Sequence, residues 1–182
     1  MTDVETESLL RELRILKDRA EIQDCLVRYC RGVDRLDWEL AASAYHPDAI
    51  DDRGAITGSP PEYLAWLRPI IEGADGTSHN ICNMTFDISG DAAHTEAYVM
   101  TAVWMKGGAQ VMMGGARYIS RFERRDGVWK LAHQEAPMDF TFAAPTNTMP
   151  DGALLGKRSR EDRSYLRPLV PSSEAQARLN RR

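Results

Sequence analysis

Apolar residues in the first third of the chain recur every three or four positions, as they do on one face of a helix. No proline interrupts residues 5–33, and one apolar row consists of Ile22, Leu26, Tyr29 and Val33. This 4-3-4 spacing predicts a long amphipathic helix over Glu5–Val33. A second apolar stripe predicts a short helix over Asp37–Tyr45, which should end at His46-Pro47-Asp48 because proline disfavours helical geometry in the residue before it.

A strand and a third helix are predicted next. Ala49–Thr57 has the composition of a short strand. Ser59 then suits the N-cap of a helix, with Pro60 at its first position and Glu62 three residues after the cap, as in a capping box.

The second half of the chain changes to strand-forming composition, rich in β-branched, aromatic and Met residues. The predicted strands are Ser78–Ser89, Ala93–Lys106, Gln110–Arg125 and Val128–Phe142. They are separated by the turn sequences Ser89-Gly90-Asp91, Gly107-Gly108 and Asp126-Gly127. Tight turns between long strands predict an antiparallel meander. Helices followed by a sheet indicate an α+β fold, with the helices packed on one face of the sheet.

Beyond the strands, the last forty residues lose their periodicity. The sequence predicts one domain over residues 1–142, with an N-terminal helical extension, and an irregular C-terminal tail over residues 143–182. Residues 143–147 read as a loop, and residues 156–163 are highly charged. This tail could dock on a neighbouring subunit, cover a pocket mouth, or be solvated without a function.

Composition narrows the class of protein. The 182 residues fit one domain, and a net charge of -4 with mixed acids and bases argues against a nucleic-acid-binding surface. No apolar run approaches the roughly 18 residues of a membrane span. The acidic N-terminus lacks a secretory pattern, so a cytoplasmic location is expected.

Metal and cofactor chemistry is not expected. The three cysteines, Cys25, Cys30 and Cys82, include no CxxC pair and should behave as small buried residues. The four histidines are scattered without the spacing of a metal site. The sequence therefore predicts no metal and no cofactor.

Several motifs together resemble the SnoaL-like branch of the nuclear-transport-factor-2-like superfamily. They are the run Arg19–Asp24, Gly32-Val33-Asp34, Ser78-His79-Asn80 and the run Tyr118–Lys130. By motif, the nearest members are scytalone dehydratase and hexachlorocyclohexane dehydrochlorinase. The resemblance implies a cone-shaped roll, in which N-terminal helices pack on the concave face of a curved, mostly antiparallel sheet around a pocket.

The resemblance also implies a catalytic pair. Asp34 matches an aspartate on the first helix, and His79 matches the histidine that removes a proton from carbon. An imidazole titrates near neutral pH and can accept that proton without a metal. The alternative is that His79 only forms a hydrogen bond to the backbone and that Asp34 is a solvated ion-pair partner. Asp37 lies nearby in the sequence and could take either role in place of Asp34.

Further residues are candidates for substrate binding from strand alternation, helix facing or the resemblance. They are Tyr29, Tyr45, Arg53, Trp66, Asn83, Trp104 and Tyr118. Asn83 shares parity with His79 unless a bulge intervenes. Arg53 could orient a phenolate or carboxylate, or pair with acids at the surface. Tyr29 and Gln134 stand where the dehydrochlorinase has basic residues for chloride, which argues against halide elimination.

Three functions remain open. The first is a cofactor-independent lyase acting on a hydrophobic aromatic or polycyclic small molecule through an Asp34–His79 dyad. The second is a non-catalytic ligand-binding protein or a small-subunit-like partner of a ring-hydroxylating oxygenase. The third is a ketosteroid-isomerase-like isomerase or cyclase. An uncovered apolar sheet face favours a homo-oligomer, and the resemblance favours a trimer over a dimer.

Overall fold

The computed structural model describes residues 2–107, 109–147 and 149–180. The helices are α1 (Asp3–Asp34), α2 (Trp38–Ala42), α3 (Pro60–Glu72) and α4 (Ser173–Leu179), with a 3₁₀ turn at Arg163–Tyr165. The strands are β1 (Tyr45–Asp52), β2 (Thr57–Gly58), β3 (Ala74–Ser89), β4 (Ala92–Met105), β5 (Gln110–Arg125), β6 (Val128–Glu135) and β7 (Met138–Pro145). The described helices include none that is both long and apolar enough to cross a membrane.

The strands form one seven-stranded, curved and mostly antiparallel sheet, with the helices packed against it. Its order is β2-β1-β6-β5-β4-β3, and β7 pairs with β5. The predicted α+β fold class is therefore confirmed. The β5–β6 turn has positive φ at both Asp126 and Gly127, as the predicted type I′ turn requires. Gly108, part of the predicted β4–β5 turn, lies outside the described residues.

The core lies between α1 and the concave face of the sheet. Ile22, Leu26 and Val33 on α1 are completely buried, as their spacing predicted. Gly32 brings α1 against α2, because a Cβ at that position would lie 2.4 Å from the backbone nitrogen of Ala41. The third helix begins at Pro60 as predicted, and the Ser59 N–H donates to Glu62 Oε2 at 2.8 Å.

The predicted end of the second helix is wrong. Helix α2 stops at Ala42, and strand β1 begins at Tyr45, which is paired in parallel with Leu131 of β6. A register irregularity between Tyr45 and Ile50 contains Pro47, which has no N–H to donate to a ladder. A segment whose sequence resembled a helix end is therefore a strand, because it pairs with a strand that is distant in sequence.

The predicted last strand, Val128–Phe142, is two strands. Pro137 separates β6 from β7 and cannot donate a ladder hydrogen bond. The two strands pair with different halves of β5, β6 with the second half and β7 with the first. Strand β7 continues to Pro145, so the predicted loop over residues 143–147 is wrong for its first three residues.

A bulge in β3 changes which residues face the core. The pairing with β4 shifts between Ile81 and Met84, which places the two residues Cys82 and Asn83 in the bulge, where both are exposed. Since a bulge reverses the alternation of side chains, Asn83 does not share the face of His79 as parity alone predicted. Cys82 follows Ile81 and lies on the face opposite His79, where it is exposed, so the burial expected of it is wrong.

Candidate functional site

Asp34 and His79 meet where the end of α1 reaches the edge strand β3. His79 Nδ1 lies 2.7 Å from Asp34 Oδ1, and the His79 backbone N–H donates to Asp34 Oδ2 at 2.9 Å. Both carboxylate oxygens are therefore held by one residue. The two side chains are only 11% and 13% exposed. A carboxylate that accepts a hydrogen bond from Nδ1 favours the tautomer in which Nδ1 carries the proton. The free lone pair of the imidazole is then on Nε2.

The carboxylate of Asp34 is stabilised in its ionised form. Burial alone would raise the pKa of Asp34, but the hydrogen bonds and charge of His79 outweigh burial, and the pKa falls below its ordinary value. An ionised Asp34 can orient the imidazole and stabilise the imidazolium that forms when Nε2 accepts a proton.

A groove of about 420 Å³ lies beside this pair, between α1 and β3. Asp34 and His79 both line it, together with Cys30 from α1 and Ile81 from β3. The pair thus borders a space in which a small molecule could bind.

The interior of the cone contains a second polar cluster, centred on Arg53. Its guanidinium carbon lies 4.8 Å from the ring centre of Tyr63, 4.9 Å from that of Tyr118 and 5.7 Å from that of Tyr29. We call Arg53 and these three tyrosines the tyrosine cage. Cation–π attraction favours a guanidinium among aromatic faces. The Arg53 side chain is only 12% exposed, so the alternative of a surface ion pair is wrong.

Asp51 supplies the counter-charge of the cage. It is completely buried and accepts hydrogen bonds from Arg53 Nε, from Arg53 Nη2 at 3.0 Å and from the Tyr45 hydroxyl at 2.6 Å. Gln134 Nε2 donates a fourth bond at 3.3 Å, and Gln134 Oε1 accepts from Ser120 at 3.0 Å. The buried charges are therefore paired and hydrogen-bonded, as burial requires.

Cys30 lies between the cage and the Asp34–His79 pair. It lines the groove and is 5% exposed. Burial raises the pKa of its thiol to about 12, and two charges also act on it: Asp34 raises that pKa and Arg53 lowers it. Both polar clusters are thus near the same side chain.

Part of the C-terminal tail packs beside the Asp34–His79 pair. Residues 157–165, which we call the C-terminal strap, place Arg158 against three backbone carbonyls. Its guanidinium donates to Ala74 at 2.7 Å, to Ile71 at 3.0 Å and to Asp34 at 3.4 Å. These carbonyls lie at the ends of α1 and α3 and at the start of β3, so one side chain joins the elements that position Asp34 and His79.

Asp37 anchors the C-terminal strap and does not compete with Asp34. Its Oδ1 caps α2 through Leu40 N and accepts from Arg160 at 3.0 Å, and its Oδ2 accepts from the Tyr165 hydroxyl at 3.1 Å. The strap therefore docks on its own chain beside the groove.

The other predicted site residues lie in three separate places. Tyr29, Tyr45, Arg53 and Tyr118 belong to the buried interior. Trp66 is 37% exposed and stacks on Tyr63, with ring centres 6.4 Å apart. Trp104 lies on the opposite face of the sheet from His79, because it is three residues from Thr101, the cross-strand partner of His79.

Sequence reasoning missed the polar roles of Tyr63, Asp51 and Arg158. The sequence gives Tyr63 no mark beyond its place in the third predicted helix, although its hydroxyl lies 2.5 Å from that of Tyr29. The signal that could have indicated a buried pair was Asp51-Asp52-Arg53 in a strand otherwise expected to bury alternate residues. No local pattern marks Arg158, which lies in a charged segment.

These features define a cone-shaped α+β domain with a buried polar interior and an Asp–His pair at its rim. The model of the SnoaL-like domain family matches residues 14–135, and the chain belongs to this family. The predicted superfamily is confirmed.

Similar proteins include a curated dehydrochlorinase and two solved structures. Hexachlorocyclohexane dehydrochlorinase 1 of Sphingobium indicum is 31% identical over 154 residues, which cover 81% of this chain and 99% of that protein. A crystal structure of a type 2 hexachlorocyclohexane dehydrochlorinase, LinA, is 26% identical, with a TM-score of 0.69, and covers 78% of this chain and 99% of the other. A structure described as a putative scytalone dehydratase of Novosphingobium aromaticivorans shares the fold at 19% identity, with a TM-score of 0.63 over 82% and 99%.

Proposed function

We propose that this protein is a cofactor-independent lyase that eliminates a small group from a hydrophobic aromatic or polycyclic molecule. The observation that carries the proposal is the 2.7 Å contact between His79 Nδ1 and Asp34 Oδ1 beside the groove. The relationship to a dehydrochlorinase that shares 31% of its residues supports elimination chemistry.

The proposed reaction uses Nε2 of His79 as the base. Nε2 takes a proton from a substrate C–H bond, and the electrons of that bond form a C=C bond. The bond from the neighbouring carbon to the leaving group breaks, and the leaving group departs with that electron pair. Asp34 stabilises the resulting imidazolium, and a positioned base of this kind accelerates proton transfer by about 10²- to 10⁴-fold.

We propose water or another small oxygen-linked group, not chloride, as the leaving group. Gln134 is uncharged and already bonded to Asp51 and Ser120, and Tyr29 is a neutral residue on α1. The buried cation Arg53 is compensated by Asp51. These three interior residues therefore offer no unpaired cation to hold a departing halide, although Arg31 and Arg35 line the groove itself.

A panel of aromatic ketones and phenols tests this function. In each compound a hydroxyl group is attached to the carbon next to the C–H bond that would be broken. Wild-type protein is expected to yield a product lighter by one water, and a substrate deuterated at the abstracted position should lose that deuterium on conversion, both measured by mass spectrometry. Saturable binding without either reaction would contradict the lyase proposal and favour the ligand-binding alternative.

We also propose that the chain forms a homo-oligomer, with a trimer favoured over a dimer. Phe140 and Phe142 on β7 are half exposed, with ring centres 6.3 Å apart, and Leu13 and Leu16 on α1 are more than half exposed. Exposed apolar side chains of this kind favour association.

Light scattering after gel filtration should give three times the mass of one chain. The double substitution Phe140→Ser and Phe142→Ser is expected to reduce that mass without changing the circular dichroism spectrum. A wild-type mass of one chain at micromolar concentration would contradict self-association.

A further inference from the structure

Two arginines at the end of α1 line the groove beside the Asp34–His79 pair. Arg31 is in the last turn of the helix, and Arg35 follows its last residue. The four positions between them correspond to about one turn, so both side chains start on the side of α1 that borders the groove. A ligand beside His79 would therefore meet two guanidinium groups. Apart from these four residues the lining is uncharged and consists of Gln23, Val27, Cys30, Asn80 and Ile81.

Arg31 is held in place but forms no ion pair with a carboxylate among the described residues. Its Nη2 donates to the Ser164 carbonyl at 3.3 Å and to the Ser164 hydroxyl at 3.1 Å. Its guanidinium carbon lies 4.5 Å from the ring centre of Tyr165, a position that cation–π attraction favours. These neutral contacts orient the guanidinium and leave its positive charge without a carboxylate partner.

Arg35 has hydrogen-bond donors that no described side chain or backbone group fills. Its Nε is buried without a hydrogen-bond partner, and Asp162 Oδ1 is 3.8 Å away, which is too far for a hydrogen bond. Asp162 instead accepts from two backbone N–H groups, of Lys157 at 2.7 Å and of Ser164 at 2.9 Å. The Arg35 side chain as a whole is 33% exposed and lines the groove, so a ligand can contact it there.

The charge of the lining favours a ligand with one negative charge. Arg31 and Arg35 contribute two positive charges, and Asp34 contributes one negative charge. Asp34 is not paired with either arginine, because both of its oxygens accept hydrogen bonds from His79. One negative charge on the ligand would balance the lining. A dianion would exceed that balance, and Asp162 behind Arg35 would repel it further.

The geometry of a guanidinium favours a carboxylate among such anions. Its planar pair of N–H donors matches the two oxygens of a carboxylate, and charge-assisted bonds of this kind are among the strongest hydrogen bonds in proteins. Val27 and Ile81 line the same groove and offer apolar contact to an aromatic ring. The groove thus combines cationic donors with an apolar wall, as an aromatic acid requires.

The contacts that hold the two arginines come from the C-terminal strap. Arg31 is bonded to Ser164, and Arg35 lies against Asp162. The family model matches residues 14–135, so the strap lies outside the matched region. The arrangement of these arginines is therefore a feature of this chain that the family match does not include.

From these observations we propose that Arg31 and Arg35 form the carboxylate-binding end of the groove, and that the substrate is an aromatic acid. Its carboxylate is held by the arginines while the C–H bond to be broken lies at His79, and the carboxylate takes no part in bond breaking. The inference rests on the proposed lyase function for the reaction, although carboxylate binding can be tested without turnover. The alternative is that both arginines only balance the negative end of the α1 dipole.

Three naphthalene probes that cannot undergo elimination test the carboxylate preference in the full-length wild-type protein. They are 2-naphthoate, its neutral amide 2-naphthamide, and the dianion 2-naphthyl phosphate, with dissociation constants from isothermal titration calorimetry. We expect 2-naphthoate to bind at least about tenfold more tightly than 2-naphthamide, because only the carboxylate forms charge-assisted bonds. We expect 2-naphthyl phosphate to bind no more tightly than 2-naphthoate.

Substitution of Arg35 identifies the donor. Arg35→Gln removes the guanidinium without removing a side-chain hydrogen bond among the described residues, and circular dichroism should confirm the fold. It should weaken 2-naphthoate binding by about tenfold and leave 2-naphthamide binding unchanged. Arg35→Lys keeps the charge without the planar pair of donors and should recover only part of the affinity. Arg31→Gln should also weaken 2-naphthoate binding, although it loses the bonds to Ser164 as well.

Arg28→Gln is the matched control. Arg28 is on the same helix and carries the same charge, but it does not line the groove, so this variant should bind 2-naphthoate as wild type does. Equal affinities of wild type for 2-naphthoate and 2-naphthamide would overturn the inference. Unchanged 2-naphthoate binding in Arg35→Gln, or an equal loss in Arg28→Gln, would overturn it too, since the arginines would then act only on the helix or through general charge.

The outcome for carboxylate binding is separable from the outcome for catalysis. A 2-naphthoate preference that depends on Arg35, in a protein that eliminates nothing from hydroxylated aromatic acids, would support the carboxylate-binding end and contradict the lyase. Elimination from neutral substrates by wild type and Arg35→Gln at equal kcat/KM, without any carboxylate preference, would support the lyase and contradict the carboxylate-binding end.

Discussion

Replacing His79 with glutamine is expected to lower the elimination rate by about 10²- to 10⁴-fold, because the reaction would lose its positioned base. Glutamine can still donate a hydrogen bond towards Asp34, so the end of α1 should remain in place. The measurement is kcat/KM for the first substrate that the panel yields. Asp34→Asn should also reduce the rate, since an amide cannot stabilise the imidazolium by charge.

His133 provides a matched control for this substitution. It is also a strand histidine paired with a carboxylate, Glu135, at 3.1 Å, but its side chain is 35% exposed. His133→Gln is expected to retain wild-type kcat/KM. Partial rescue of His79→Gly by added imidazole would separate a lost base from a distorted fold. Equal rates for wild type and His79→Gln would contradict the role of His79.

The second large effect is expected on stability. Asp51→Ala leaves the Arg53 guanidinium buried among three tyrosines without its counter-charge. Removing one partner of a buried ion pair typically costs about 3–5 kcal/mol. Urea denaturation followed by circular dichroism should therefore show a loss of this size in the free energy of unfolding, with little change in the slope against urea concentration.

Two further variants show whether the loss comes from the unpaired charge. Asp48→Ala removes an aspartate of the same strand that is 66% exposed and pairs with Arg125, and should leave the unfolding midpoint nearly unchanged. The double variant Asp51→Leu and Arg53→Met removes both charges, and should be more stable than Asp51→Ala alone. If Asp51→Ala unfolds at the same urea concentration as Asp48→Ala, the cage is not a buried ion pair in solution.

The C-terminal strap shows why a tail with no pattern can matter to a site. Arg158 bonds to backbone carbonyls of three separate elements, and backbone carbonyls are present at every position of any sequence. Nothing in the local sequence therefore indicates which carbonyls an arginine will reach. We propose the strap as a positioning element for Asp34, since Arg158 donates to the backbone carbonyl of Asp34 at the end of α1.

Strand boundaries were predictable where the turn chemistry was local. Asp126-Gly127 could be placed because two residues with positive φ are needed at a type I′ turn. The division at Pro137 was less visible, because a proline in an apolar run is compatible with an edge strand. Only the pairing of β5 with both β6 and β7 made it a boundary.

By itself the sequence determined the long first helix and the α+β order of elements, because periodicity, capping and turn residues act over a few neighbouring positions. The superfamily followed from the resemblance of several motifs. It also brought Asp34 and His79 forward, although only through a resemblance. The tertiary structure alone decided that Arg53 and Asp51 lie among tyrosines inside the cone, that Asn83 and Trp104 do not share the face of His79, and that Arg158 reaches the end of α1. Each of these depends on strand register, a bulge or a contact across more than twenty residues, and such contacts are set by the packing of the whole chain.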